Sequence, residues 1–187
     1  MKRYALTTLV LAAVASAIAW AQTPTDKVAD GKKAFIDVVK VLQSPRCVNC
    51  HPVGDRPMQG DAGKAHAQNI SRRTVAAGVP CTTCHQTQNS EALGIAGGPP
   101  GAPNWGLPPI EAPMVFQGKT ATAICEQMND IKQTNGKDLK ALLEHVSHDK
   151  LVLWGWSPGG KRTLPPLTHE QFVKAFTAWV DGGGACP

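Results

Sequence analysis

The pentapeptide Cys-X-X-Cys-His occurs twice in this chain, as Cys47-Val48-Asn49-Cys50-His51 and as Cys81-Thr82-Thr83-Cys84-His85. This pattern is the attachment motif of a c-type haem. Two cysteines at this spacing can each add to one vinyl group of a porphyrin, and the adjacent histidine can then bind the iron. The sequence therefore predicts two covalently attached haems. Their expected anchors are Cys47, Cys50, Cys81 and Cys84, and the expected proximal ligands are His51 and His85.

The first 21 residues have the pattern of a secretory signal peptide. Lys2 and Arg3 precede an apolar stretch over residues 9–19, and Ala19-Trp20-Ala21 is typical of a cleavage site. An uncleaved anchor is the alternative, although the stretch is short for a membrane-spanning helix. We expect cleavage after Ala21, a single dihaem domain over residues 22–187, and a location in the periplasm or an equivalent oxidising compartment.

Charge gives little information about partners. The whole chain has a formal net charge of +5; loss of Lys2 and Arg3 leaves seventeen basic and fourteen acidic residues, a net charge of +3. The sequence lacks a basic, aromatic-rich run of the kind that binds nucleic acid, so no nucleic-acid partner is expected. Solvated surface charges are the default interpretation of the arginines, and neutralisation of haem propionates is the alternative for Arg46, Arg56, Arg72 and Arg73.

Two cysteines, Cys125 and Cys186, lie outside the haem motifs. In an oxidising compartment, two such cysteines most simply form a disulfide. This bond would tie the C-terminus to an earlier helix. Two unpaired thiols are the alternative.

Helical periodicity and capping signals predict a mostly α-helical fold with long loops. No alternating apolar pattern is strong enough to indicate a sheet. Thr120, Asp138 and Thr168 are candidate helix caps, and Thr168 with Gln171 has the pattern of a capping box. The predicted helices cover residues 25–43, 121–131, 139–147 and 169–181, with a short one around 65–75.

A segment rich in glycine and proline follows the second haem motif. Eleven of the twenty residues from 94 to 113 are Gly or Pro, so a regular element is excluded. A flexible linker is one interpretation. We favour an ordered loop around a haem edge, because Trp105, Leu107 and Ile110 are too apolar for a solvated tether, and Met114 and Val115 follow directly.

The second axial ligand of each iron decides what the protein can do, because a six-coordinate haem carries electrons whereas an open iron can bind small molecules. His66 lies between the two motifs and is the first candidate; a surface histidine is the alternative. His145 flanks the apolar stripe of its helix and is the second candidate, whereas His148 falls on the polar face. Met114 is the alternative to His145, and His169 is a reserve candidate.

The whole mature chain resembles small periplasmic dihaem cytochromes c. Two Cys-X-X-Cys-His motifs with a histidine between them are similar to the small dihaem subunit of periplasmic nitrate reductase, in which both haems have two histidine ligands. On that likeness His66 would be a distal ligand. The other distal histidine of that subunit precedes its first motif, but residues 22–46 of this chain contain no histidine.

A second resemblance covers more of the chain. Residues 50–57 (Cys-His-Pro-Val-Gly-Asp-Arg-Pro), 103–105 (Pro-Asn-Trp) and 153–156 (Leu-Trp-Gly-Trp) resemble small secreted dihaem proteins of proteobacterial type. Some of these are labelled as subunits of isoquinoline oxidoreductase, a molybdenum hydroxylase. This likeness implies redox partner proteins, namely a dehydrogenase such as that hydroxylase and a downstream acceptor.

Three functional classes fit the motifs to different degrees. An electron carrier with two haem c groups is favoured over an enzyme. The alternative is a peroxidase-like haem enzyme or small-ligand sensor with one open axial site. A zinc-binding module could use four thiolates in two such pairs, but the histidine after each pair would then be coincidental. The sequence contains neither a hydrolase nucleophile elbow nor a phosphate-binding glycine loop.

Overall fold

The computed structural model describes residues 23–94 and 97–187, so the predicted signal peptide lies outside the described residues. The architecture is mostly helical, as predicted. The α-helices of the described residues are α1 (Pro24–Leu42), α2 (Pro45–Val48), α3 (Arg72–Ala76), α4 (Ala121–Asn129), α5 (Leu139–His148), α6 (Lys150–Leu153) and α7 (His169–Asp181).

The first and last helices form the centre of the core. Helix α1 begins with a capping box between Thr23 and Asp26, and α7 begins with the predicted box between Thr168 and Gln171. The two helices pack closely at a glycine contact, where a Cβ atom on Gly31 would lie 3.2 Å from the Cα atom of Gly182. The core consists mainly of fully buried apolar side chains from four helices: Phe35, Val38 and Val41 of α1, Ile124 and Met128 of α4, Leu142 of α5, and Phe172, Phe176 and Trp179 of α7.

Helices α4 and α5 begin at the predicted caps, Thr120 and Asp138, whose side chains accept from the backbone N–H three residues later. Helix α4 ends at Asn129 and not at residue 131 as predicted, and Ile131 is 54% exposed in the turn that follows. Val28 of α1 is also exposed, at 39%.

The region between the two motifs is less helical than predicted. A short antiparallel hairpin pairs β1 (Met58–Gln59) with β2 (Lys64–Ala65), and helix α3 is confined to Arg72–Ala76. Helix α6 and the 3₁₀ turn Trp154–Trp156 were not predicted. Both are one-turn elements, too short for a periodic pattern to show.

The Gly/Pro-rich segment has no regular structure where it is described, but it packs against the chain before it. The carbonyl oxygen of Pro99 accepts from the backbone N–H and the hydroxyl of Ser90. The amide of Gly101 donates to Asn89 Oδ1, and Ala102 and Ala112 are buried. These contacts are those of an ordered loop, as favoured by its apolar content.

Cys125 and Cys186 form a disulfide with a Cα–Cα distance of 5.5 Å, as predicted. The bond ties the C-terminus to helix α4. Within the described residues, no helix has the length and apolar character needed to span a membrane.

Candidate functional site

The two Cys-X-X-Cys-His motifs fold into the same backbone turn. In the first, the amides of Cys50 and His51 both donate to the carbonyl oxygen of Cys47, at 3.1 and 3.0 Å. In the second, the amides of Cys84 and His85 both donate to the carbonyl oxygen of Cys81, at 3.2 and 3.0 Å. One helical turn therefore brings the two thiols and the imidazole of each motif together.

The imidazole of His51 is positioned by a loop that is distant in sequence. Its Nδ1 atom lies 2.7 Å from the carbonyl oxygen of Met114, and its ring stacks on Phe116 at 4.2 Å between centroids. The carbonyl of His51 in turn accepts from the Phe116 amide. Met114 has a φ of 47°, a left-handed conformation that costs about 1–2 kcal/mol in a non-glycine residue. Burial lowers the pKa of His51 to about 4, so the ring is neutral.

His85 is held in the same manner by the Gly/Pro-rich loop. Its Nδ1 atom lies 2.6 Å from the carbonyl oxygen of Pro100. Its ring lies parallel to Trp105, with 4.6 Å between centroids and 6° between planes, and Trp105 meets Trp154 edge-on at 4.8 Å. Burial also lowers the pKa of His85. In both motifs the histidine therefore has a carbonyl partner at Nδ1 and an aromatic ring on one face.

None of the four motif cysteines takes part in a disulfide. Burial raises the pKa of Cys47 to about 12 and that of Cys50 to about 11, and it also raises the pKa of Cys81. Cys84 is exposed. Cys50 and Cys81 line the same cavity, so the two motifs are neighbours in space.

A cavity of about 940 Å³ opens beside the second motif. Cys81, Cys84 and His85 line it, together with Cys50 of the first motif. The Gly/Pro-rich loop forms much of its wall, with Pro99, Pro100, Trp105, Gly106 and Leu107. The cavity thus joins free thiols, an imidazole and apolar surface in one place.

The structure places His66 in this cavity, opposite the second motif. The His66 and His85 rings are 6.0 Å apart between centroids and inclined by 57°. The Nδ1 atom of His66 lies 2.8 Å from the carbonyl oxygen of Ala67. A histidine–metal bond is about 2 Å long, so two imidazoles on opposite sides of one metal ion have centroids about 6 Å apart. His66 and His85 meet that spacing.

His145 lies near the first motif. Its charge contributes to the low pKa of His51, and its Nδ1 atom lies 3.4 Å from an Asp149 carboxylate oxygen. The side chain of His145 is 36% exposed, and burial lowers its pKa. Of the two distal candidates, His66 therefore has a ring contact with a motif histidine, His85, whereas His145 has an electrostatic interaction with His51.

The remaining candidates have other surroundings. The Met114 carbonyl contacts Nδ1 of His51, so Met114 lies on the Nδ1 side of the ring, away from Nε2. The Met114 side chain packs against the core. The Nε2 atom of His169 lies 2.9 Å from the Val146 carbonyl oxygen and its ring is edge-on to Trp156. His148 is 70% exposed and pairs with Glu144, in agreement with its assignment to the polar face. These contacts favour His145 over Met114 and His169.

Several residues of the cavity were not identified from the sequence. Met58, which lies only seven residues after His51, lines the cavity beside the second motif. Arg162 and Trp154 also line it, and Asn89 holds Trp154 by accepting from its indole N–H at 2.8 Å. Of these residues, only Trp154 belongs to a segment that the sequence analysis singled out, Leu-Trp-Gly-Trp at 153–156.

The described residues contain no group of three or more His, Cys, Asp or Glu side chains placed to hold a metal ion. A structural zinc site takes four such ligands, whereas a haem iron takes only one or two side chains in addition to the porphyrin. Comparison of the chain with protein-family models, with curated proteins and with solved structures finds no match.

Proposed function

We propose that this protein is a periplasmic electron carrier with two covalently bound c-type haems. The observation that carries the proposal is the shared geometry of the two motifs. Each forms the same turn, and each places the Nδ1 atom of its histidine within 2.7 Å of a loop carbonyl oxygen. A histidine that binds a metal through one nitrogen almost always donates its other N–H to such a group.

The residues present fit the prosthetic group. The motif cysteines are free of disulfides, as thioether formation requires. The carbonyls of Met114 and Pro100 leave Nε2 of His51 and His85 as the nitrogen for an axial bond. The cavity beside the second motif offers a large, mainly apolar space bounded by Trp105 and Leu107. Four cysteines and two proximal histidines would thus hold two haems.

His66 and His145 are the distal ligands in this proposal. His66 stands 6.0 Å from His85 between ring centroids, and its Nδ1 atom, too, has a backbone carbonyl partner. Electrostatic interaction with His145 contributes to the low pKa of His51, and an Asp149 carboxylate oxygen lies 3.4 Å from the Nδ1 atom of His145. Histidine on both sides gives lower reduction potentials than a histidine and a methionine would.

When bound, the iron supplies a reversible one-electron change of charge, and the protein sets its potential. The chain would contribute axial imidazoles and the aromatic rings that stack on His51 and His85. Cys50 and Cys81 line the same cavity, which brings the two attachment points near each other. Proximity of this kind favours electron exchange between the two sites within one molecule.

The partners in this proposal are redox proteins, namely a dehydrogenase that donates electrons and an acceptor that removes them. The likeness to secreted dihaem proteins suggests a molybdenum hydroxylase as the donor. The predicted signal peptide supports the periplasm as the compartment in which they meet.

The decisive experiment is the absorption spectrum of the reduced protein from a host that matures c-type haem, before and after addition of carbon monoxide. Two haems per chain with c-type bands and no response to carbon monoxide are expected, because both irons would have two protein ligands. Protein without c-type bands would refute the proposal. A response of about half the haem would indicate an open iron and favour a haem enzyme or sensor.

A further inference from the structure

The wall of the cavity beside the second motif carries an excess of positive charge. Arg46, Lys64 and Arg162 line it, and Asp61 is its only acidic side chain among the described residues. An apolar cavity whose lining has three cations and one carboxylate is a poor site for a neutral ligand. It suits a ligand that carries carboxylates.

Arg46 is the most deeply placed of these cations. Its side chain is only 2% exposed, and its guanidinium group pairs with Asp61, whose side chain is 41% exposed. The Nε atom of Arg46 is buried and has no hydrogen-bond partner in the described part of the chain. The guanidinium carbon lies 5.9 Å from the centre of the Trp154 ring. A buried guanidinium with one shared carboxylate is incompletely compensated.

Arg162 is fixed beside the same cavity by backbone groups. Its Nη1 atom donates to the carbonyl oxygens of Pro158 and Gly159, at 2.8 and 3.2 Å. Its ion pair with Glu91 is longer, at 3.5 Å, and its side chain is 23% exposed. The electrostatic interaction between Arg162 and Arg46 lowers the pKa of Arg46 further, so the two cations act on the same region.

We infer that Arg46 and Arg162 form a carboxylate-binding wall of this cavity, and that its ligands are the propionates of the haem attached to Cys81 and Cys84. This inference rests on the proposed function. Guanidinium groups bind carboxylates through paired hydrogen bonds, which an ammonium group cannot reproduce.

The structure distinguishes between the arginines that the sequence suggested as propionate ligands. Arg73 is 84% exposed, and Arg56 is also exposed. Arg72 is buried and its Nη2 atom has no hydrogen-bond partner in the described part of the chain, but its Nε and Nη1 atoms donate to the carbonyl oxygens of Pro108 and Gly54. It lines a smaller cavity, of about 360 Å³, on the side of helix α3. Arg46 and Arg162 are the arginines that line the larger cavity.

The test measures the reduction potentials of both haems by spectroelectrochemistry in the purified holoprotein, with haem content determined on the same samples. Arg46→Gln should lower one of the two potentials, because an uncompensated propionate favours the ferric iron. Arg46→Lys keeps the charge and should lower that potential less. Arg162→Gln should lower the potential of the same haem, and Arg73→Gln is the matched surface control and should change neither.

The infrared or Raman bands of the propionates give a second readout, which should shift in Arg46→Gln and not in Arg73→Gln. Normal haem content with unchanged potentials and bands in Arg46→Gln overturns the inference, as does an equal shift in Arg73→Gln. If Arg46→Gln does not fold, unchanged potentials in both Arg46→Lys and Arg162→Gln overturn it. A wild-type protein without haem refutes the proposed function itself, and the inference with it.

Discussion

The Nδ1 atom of His51 lies 2.7 Å from the carbonyl oxygen of Met114, a residue 63 positions further along the chain. The same relationship joins His85 to Pro100, only 15 positions away. A carbonyl oxygen can only accept, so Nδ1 carries the hydrogen in both rings and Nε2 has the free lone pair. Two loops from different parts of the chain therefore leave the Nε2 atom of each histidine free to bind a metal ion.

Removal of a motif cysteine should affect one haem and spare the other. In Cys84→Ala, we expect the mass of the denatured protein to fall by one haem, or the second haem to be held by a single thioether. The first motif is a separate turn anchored by Met114 and Phe116, so its haem should remain. Intact-protein mass spectrometry under denaturing conditions measures the result.

The matched control replaces cysteines of the same chain that lie outside the motifs. Cys125→Ala with Cys186→Ala removes the disulfide and should leave two haems attached. Full retention of both haems, each by two thioethers, in Cys84→Ala would contradict the role of the second motif.

Replacement of His66 by Ala should open one iron. Its ring centroid is 6.0 Å from that of His85, and no other histidine of the described residues lines the cavity. About half of the total haem should become high spin and bind carbon monoxide, because one of two irons loses an axial ligand. Electron paramagnetic resonance of the oxidised protein and carbon monoxide difference spectra of the reduced protein detect the change.

His148→Ala is the control for this prediction, since its side chain is 70% exposed and pairs with Glu144 on the surface. Both irons should remain low spin in that variant. An unchanged spectrum in His66→Ala would show that His66 is not a ligand, and Met58, which lines the same cavity, would then be the next residue to test.

The long helices of the fold were predictable because each has a local signal. Thr168 and Gln171 form the expected capping box, and Phe172, Phe176 and Trp179 recur at helical spacing and are buried. The hairpin of β1 and β2 has only two residues in each strand, which is too few for an alternating pattern. Its position depends on tertiary contacts that a local pattern does not report.

The motif residues of the candidate site were predictable, because covalent haem attachment requires a fixed spacing. The residues that tertiary packing brings to the site were less predictable. The motifs identify Cys47, Cys81 and their partners directly. The carbonyl contacts of Met114 and Pro100 depend on how distant loops return to the histidines, and no sequence pattern encodes that path. Arg162 was missed for the same reason, because it lies 116 positions after Arg46 and reaches the cavity only through the fold.

Loss of the Cys125–Cys186 disulfide should reduce stability without altering the haems. The bond links residues 61 positions apart, and disulfides that close long loops typically contribute about 2–4 kcal/mol. Cys125→Ser with Cys186→Ser should lower the free energy of unfolding in urea by about that amount. Mild reduction of the wild-type protein should have the same effect, and an unchanged urea midpoint in both cases would contradict the prediction.

Gly101 follows the residue that supports His85, and it should not tolerate a side chain. A Cβ atom there would overlap the carbonyl oxygens of Gln86 and Gln88, just after the second motif. Forcing these groups apart should reduce the free energy of unfolding by about 1–3 kcal/mol in Gly101→Ala and displace the Pro100 carbonyl from Nδ1 of His85. Gly106→Ala in the same loop is the control, because its Cβ atom would be no closer than 3.6 Å to its neighbours and should change stability by less than about 0.5 kcal/mol. Equal urea midpoints and haem spectra for the two variants would show that this loop does not hold His85 in place.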